Sequence, residues 1–214
     1  MTAGQIARKL LGARGFSVVG GWYRALFVDV AKVVDSFPAL PEDVEVLDVG
    51  GGDGAVLDAL LARYPRARAT MIDLAPRIGG ALRPEHAARV TLLPGTAVSA
   101  YRATMARAPG LIMVSDVLHH VAPDARLQLF LDLRELLGAR PATIVVKDLE
   151  PGYLRARLGY LADRYISGDR GVTPAPQASV RALLAQAFPR AAVRATNLIE
   201  RDPPNYALVC EVAP

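Results

Sequence analysis

The sequence predicts an α/β domain built on a doubly wound, mostly parallel sheet, and three observations carry that expectation. The first is a short apolar run, Val46 to Val49, that passes straight into a glycine turn at Gly50 to Gly54 and then into a segment of helical period. The second is repetition of that rhythm, because Ala69 to Leu74, Arg89 to Thr96, Gly110 to Asp116 and Ala142 to Asp148 are short, largely apolar runs separated by helix-like stretches. The third is the end of the chain. Two apolar runs, Ala192 to Ile199 and Tyr206 to Val212, follow each other across Asp202-Pro203-Pro204-Asn205 and read as a closing hairpin. Five parallel strands and that hairpin make a seven-stranded sheet with one antiparallel strand.

Each element has its own reason. Glu45 to Val49 alternates too little for a half-wet edge and suits a buried parallel strand. The helix after the glycines has Val56, Leu57, Leu60, Leu61 and Tyr64 at helical spacing and stops at Pro65. Pro123 and Asp124 open a long helix whose Leu129, Phe130, Leu133, Leu136 and Leu137 pack inward, and Gly138 closes it. Gly152 to Tyr165 reads as a helix crossing above the strand tips, Ser167 to Pro176 as a loop, and Gln177 to Ala187 as the last helix. At the other end, Met1 to Phe37 is helical with breaks at Gly12, Gly15 and Gly20-Gly21, and Pro38 to Asp43 links it to the first strand. Residues 1–43 are therefore expected to form a helical cap, offering Trp22, Tyr23 and Phe27 either to a substrate or to the core, and residues 44–214 the main domain.

Composition bounds the partners. The chain has 214 residues, 52% of them hydrophobic, enough for one substantial core. Lys+Arg 25 against Asp+Glu 21 leaves net +4 in scattered arginines, without the basic stripe that nucleic acid would require. A single cysteine, Cys210, excludes an internal disulfide framework and a cysteine-based zinc site, and fits a cytoplasmic setting. No metal set, signal peptide or membrane span is expected. The oligomeric state is open, with a homodimer among the options.

The glycine turn is a ligand loop. Glycines there permit positive φ and close approach to bare backbone, and the helix start offers unpaired N–H groups. The spacing leaves two cofactor classes open. Gly50, Gly52 and Ala55 satisfy the dinucleotide fingerprint G-x-G-x-x-A, and an acid, Asp73, follows at the end of the second strand. Against a pyrophosphate stands Asp48, a fixed negative charge that suits the ammonium group of an amino-acid-like ligand.

Asp48, Gly50, Gly52 and Gly54 also spell Asp-x-Gly-x-Gly-x-Gly. In those residues, in Asp73 and in Ser115 to His120, the chain resembles the class I S-adenosylmethionine-dependent methyltransferases, particularly those of quinone, lipid and natural-product pathways. The resemblance implies a Rossmann-like sheet, S-adenosyl-L-methionine bound by Asp48, Gly50, Gly51, Gly52 and Gly54, and ribose hydroxyls on Asp73. It further implies Leu74 against the adenine, and Thr96 and Ser115 at the cofactor. Many relatives carry an acid where this chain has Thr96, so the adenine contacts depart from the pattern. If the acceptor must lose a proton, His119 or His120 is the candidate base, and adjacent histidines point apart, so one belongs in the pocket and the other holds the turn. The expected function is methyl transfer to a small-molecule oxygen or carbon. A nicotinamide-dependent oxidoreductase and a non-catalytic binder of the same cofactor are the alternatives.

Overall fold

The computed structural model describes residues 28–162 and 171–213. Its helices are α1 (Val30–Asp35), α2 (Ala55–Arg63), α3 (Pro84–Ala87), α4 (Val98–Arg102), α5 (Arg126–Leu137), α6 (Leu154–Ala162), α7 (Gln177–Ala187) and α8 (Leu198–Arg201). Its strands are β1 (Glu45–Val49), β2 (Arg68–Asp73), β3 (Val90–Pro94), β4 (Leu111–Ser115), β5 (Ala142–Leu149), β6 (Ala192–Ala195) and β7 (Asn205–Val212). They form one sheet in the order β3-β2-β1-β4-β5-β7-β6. Neighbours from β3 through β5 are parallel, and β7 runs antiparallel between β5 and β6. This is the doubly wound α/β architecture that the sequence predicts, seven strands and closing hairpin included.

Strand alternation divides the core between the two faces of the sheet. Leu47, Val49, Ile112, Val114, Ile144 and Val146 point into one cluster, which α4, α5 and α7 cover with Tyr101, Phe130, Leu133 and Leu184. Val46, Met71, Leu111, Met113 and Val145 point into the other, covered by α1 and α2 through Val33, Val34, Leu57, Leu60 and Leu61. The described part of the expected cap, residues 28–43, thus packs into this second cluster through Val33, Val34 and Phe37. Trp22, Tyr23 and Phe27 lie outside the described residues.

One expected element differs. The run Ala192 to Ile199 is strand only to Ala195, and Leu198–Arg201 turns into the short helix α8. The buried Asp202 carboxylate explains the turn: it accepts from the backbone N–H of Asp29, from Arg155 and from the Asn205 amide, so the chain must curl to bring it inside. Among the described residues no helix is long and apolar enough to cross a membrane.

The order of strands places the site. From β1 the chain winds outward to β2 and β3, then returns to β4 on the other side of β1, so the carboxyl ends of β1 and β4 border a crevice.

Candidate active site

The glycine turn lies at the end of β1, and its geometry separates the roles of its glycines. Gly50, Gly52 and Gly54 all have positive φ, at 66°, 56° and 84°. A Cβ on Gly50 would stand 2.6 Å from a Val117 methyl, and one on Gly51 2.3 Å from the Asp48 carboxylate, so both are small because the fold closes on them. Gly52 is different. A Cβ there would meet nothing nearer than the Gly50 carbonyl at 4.0 Å, so the bare backbone faces open space.

Asp73, at the tip of β2, holds this loop in place. One carboxylate oxygen accepts from the Gly52 N–H at 2.9 Å and the other from the Ala75 N–H at 2.8 Å. A carboxylate has about four acceptor positions, so two remain for a ligand's hydroxyls. Leu74, next to it, is 76% exposed, an apolar surface in position to meet a flat ring. Thr96 donates its N–H to the Asp73 carbonyl at 2.9 Å and its hydroxyl to the Pro94 carbonyl at 3.3 Å.

Gly50, Asp73, Leu74, Thr96, Asp116 and His120 all line one cavity of about 520 Å³ at the β1/β4 crevice, within the ordinary range for a small-molecule site. A second cavity, of about 350 Å³, opens at the opposite edge among Glu45, Arg68 and Arg107, where the strands begin and no glycine turn reaches.

Five expected cofactor residues are not among those lining this cavity: Gly51, Gly52 and Gly54 of the turn above it, and Asp48 and Ser115. Asp48 faces the α2 side of the sheet, buried beneath Gly51, and is not among the residues lining the cavity. Burial first, and the nearby Asp73 charge second, push its carboxyl up to about 7. Ser115 ends β4 with its hydroxyl buried and without a hydrogen-bond partner among the described residues, also outside the cavity lining.

The two histidines do not point apart as expected, since their rings lie against each other, but they differ in burial. Leu118–His120 is a single 3-10 turn, and it sends His120 to the cavity while His119 is buried. His119 Nδ1 lies 2.7 Å from the Asp148 carboxylate, whose other oxygen accepts the His119 backbone N–H at 3.2 Å. Burial pushes the Asp148 carboxyl up, but the charge and hydrogen bond of His119 outweigh it and hold it below the usual carboxylate range. The two imidazole rings are 4.1 Å apart and tilted. Buried Arg126 fastens the same turn, donating from Nε to the carbonyls of Leu118 and Val121 at 3.0 and 3.1 Å, and from its other nitrogens to Thr173 and Pro174.

Several contributors escaped sequence reasoning. Lys147, 1% exposed, sits in the apolar run of β5 and donates to both Asp116 oxygens at 2.7 Å. Asp116 takes φ of 58°, the one non-glycine residue at positive φ among the described residues, and it lines the cavity. Ligand atoms of Asp116, His119 and Asp148 lie within 4.8 Å of one another, with the Lys147 ammonium already on Asp116. A lysine inside a valine-rich strand, immediately before an acid, was the available signal. On α6, the helix expected to cross above the strand tips, Arg155 binds Asp202 and the Pro203 carbonyl, and Tyr160 donates to the Leu149 carbonyl while its ring meets His119 edge-on.

The O-methyltransferase domain family matches residues 23–157, which is more than half of the chain. The chain belongs to that family. Membership sets aside the nicotinamide reading that G-x-G-x-x-A had left open. No curated protein matches the chain. Among solved structures, an O-methyltransferase family protein from Burkholderia thailandensis is similar with a TM-score of 0.67, at 15% identity over 98% of this chain and 63% of the other. Human N-acetylserotonin methyltransferase in complex with S-adenosylmethionine gives 0.65, at 16% identity over 93% and 56%. An O-methyltransferase from neocarzinostatin biosynthesis, NcsB1, solved with S-adenosylhomocysteine and 1,4-dihydroxy-2-naphthoic acid, gives 0.62, at 21% identity over 94% and 58%. At these identities the likeness is one of fold. This chain spans little more than half the length of the solved chains it matches.

Proposed function

We propose that this protein transfers a methyl group from S-adenosylmethionine to a hydroxyl of a small, largely apolar acceptor of the kind found in secondary metabolism. The observation that carries this reading is the convergence on one cavity of Asp73, anchored to the glycine loop, with exposed Leu74 on one side and His120 on the other. Asp73 would hold the ribose hydroxyls, Leu74 would cover the adenine, and the open backbone at Gly52 leaves room for the amino-acid portion. The cofactor supplies an electrophilic methyl group on a sulfonium. What the chain supplies is alignment in a site shielded from water, and a place for the acceptor's proton.

His120 is the residue placed to take that proton, since it is the histidine that faces the cavity. His119, bound through Nδ1 and backbone to Asp148, fixes the turn that presents its neighbour. Val117, Val121 and Leu129 give the cavity its apolar wall, and NcsB1, a relative in fold, is known with a dihydroxynaphthoic acid. An aromatic hydroxyl would suit such a wall.

The test is turnover with methyl-labelled S-adenosylmethionine across a panel of phenols and naphthols, read as labelled product and S-adenosylhomocysteine by mass spectrometry. Acceptor-dependent formation of both supports the reading. Binding of the cofactor with no acceptor-dependent product across phenols, alcohols and acidic carbons would favour a non-catalytic binder instead.

A further inference from the structure

We propose that Asp132 and Gln128, on α5, read the adenine edge of the cofactor in place of the carboxylate that this chain lacks at position 96. The inference rests on the cofactor reading above. Thr96 spends its N–H on the Asp73 carbonyl and its hydroxyl hydrogen on the Pro94 carbonyl, so it offers a ligand no charge and no free donor. The opposite wall of the cavity supplies what is missing.

Helices α4 and α5 lie side by side, tied near their carboxyl ends by the Arg102–Glu135 ion pair. Counting back along α5 by three and then four residues from Glu135 stays on the same face and reaches Asp132 and Gln128. One turn back along α4 from Arg102 reaches its first residue, Val98, and Ala97 and Thr96 lead into the helix there. The cavity agrees with that register, with Thr96, Ala97 and Val98 lining one wall and Gln128, Leu129 and Asp132 another.

The chemistry of the pair is directional. Gln128 Nε2 donates one hydrogen to Asp132 Oδ1 at 2.7 Å. Its second hydrogen and the other Asp132 oxygen form an adjacent donor and acceptor. Adenine presents the complement, a ring nitrogen that accepts beside an amino group that donates. Hypoxanthine reverses both, with a carbonyl oxygen beside a ring N–H. On the other carboxylates of this cavity each oxygen already accepts one hydrogen bond, at Asp73 from the backbone N–H groups of Gly52 and Ala75 and at Asp116 from Lys147. Asp132 alone among the cavity's carboxylates retains an oxygen without a partner among the described residues.

The experiment is calorimetric titration of the whole chain with S-adenosylhomocysteine and with S-inosylhomocysteine, for wild type, Asp132→Ala, Asp132→Asn and Gln128→Ala. Wild type should bind the adenosyl ligand at least about tenfold more tightly than the inosyl one, as expected when a site's polar groups are left opposed. Asp132→Ala should weaken the adenosyl ligand by about tenfold while leaving the inosyl one within about threefold, and Gln128→Ala should move in the same direction. Asp132→Asn, which keeps the shape and can turn a donor toward the ligand, should narrow the preference. Both positions lie at the surface end of the cavity, and circular dichroism confirms that each variant is folded. Equal affinities of wild type and Asp132→Ala for the adenosyl ligand, or a loss shared equally by both ligands, would overturn the proposal. Failure of wild type to bind S-adenosylhomocysteine at all would overturn the cofactor reading itself, and is distinguishable because it precedes any variant.

Discussion

Asp48 gives the fold a pH dependence whose size can be worked from its surroundings. Its carboxyl lies buried beneath Gly51 and rises from 3.8 to about 7 on folding, through burial first and the Asp73 charge second. The folded state therefore binds a proton more tightly than the unfolded chain does. Stability from this group is fully present below the unfolded value of 3.8 and is lost as pH rises through about 7. Over the pH range in which only the folded state holds the proton, each tenfold fall in proton concentration removes about 1.4 kcal/mol, so the loss between about pH 5 and pH 8 is on the order of 2 to 3 kcal/mol. Asp48→Asn keeps the shape and removes the titration, so the stability of wild type relative to the variant should fall by about that amount across the interval. Urea unfolding at four pH values spanning it measures the change. With a slope of ~2 kcal/mol/M the midpoints should move relative to one another by on the order of 1 M. Parallel midpoints across the four pH values would show that this buried carboxyl is not held neutral.

Four further outcomes follow from contacts around the site. Gly52→Val should abolish S-adenosylmethionine binding while the protein stays folded, because the side chain enters open space rather than the core and positive φ costs about 1 to 2 kcal/mol; calorimetry together with thermal melting checks both halves. Asp73→Ala should weaken cofactor binding by about 1 to 3 kcal/mol and lower the melting temperature, since it also frees the Gly52 and Ala75 N–H groups; a loss below a few tenths would remove the ribose role. His120→Ala should lower turnover by on the order of 10² to 10⁴-fold with cofactor affinity nearly unchanged. His119→Ala should instead destabilise the fold by about 3 to 5 kcal/mol, because it strands the buried Asp148 carboxylate. If both histidine variants turn over within about threefold of wild type, a barrier change of only ~0.65 kcal/mol, neither acts as base.

The glycine turn, Asp73 and the strand rhythm were legible in the sequence because each is governed by neighbours in the chain. Positive φ at Gly50, Gly52 and Gly54, and an acid at the end of a short apolar run, need no distant partner to be recognised. What escaped depends on partners far along the chain. His119 is buried because Asp148, at the end of β5, receives it, and only then does His120 fall to the cavity. Lys147 stands in an apolar strand, and its role depends on Asp116, which takes up its ammonium group. Asp48 was expected to meet a ligand directly, but strand parity places it with Val46 on the α2 face, under the loop rather than in the cavity. The strand expected through Ile199 stopped early because Asp202 draws the chain inward.

A crystal structure of the protein with S-adenosylhomocysteine tests the central claim most directly. Adenosyl density is expected in the cavity between β1 and β4, with the ribose hydroxyls on Asp73, Leu74 over one face of the adenine, and His120 on the side where the acceptor enters. Density at the opposite edge of the sheet, beside Glu45 and Arg68, or a ligand in the crevice whose ribose does not touch Asp73, would contradict it.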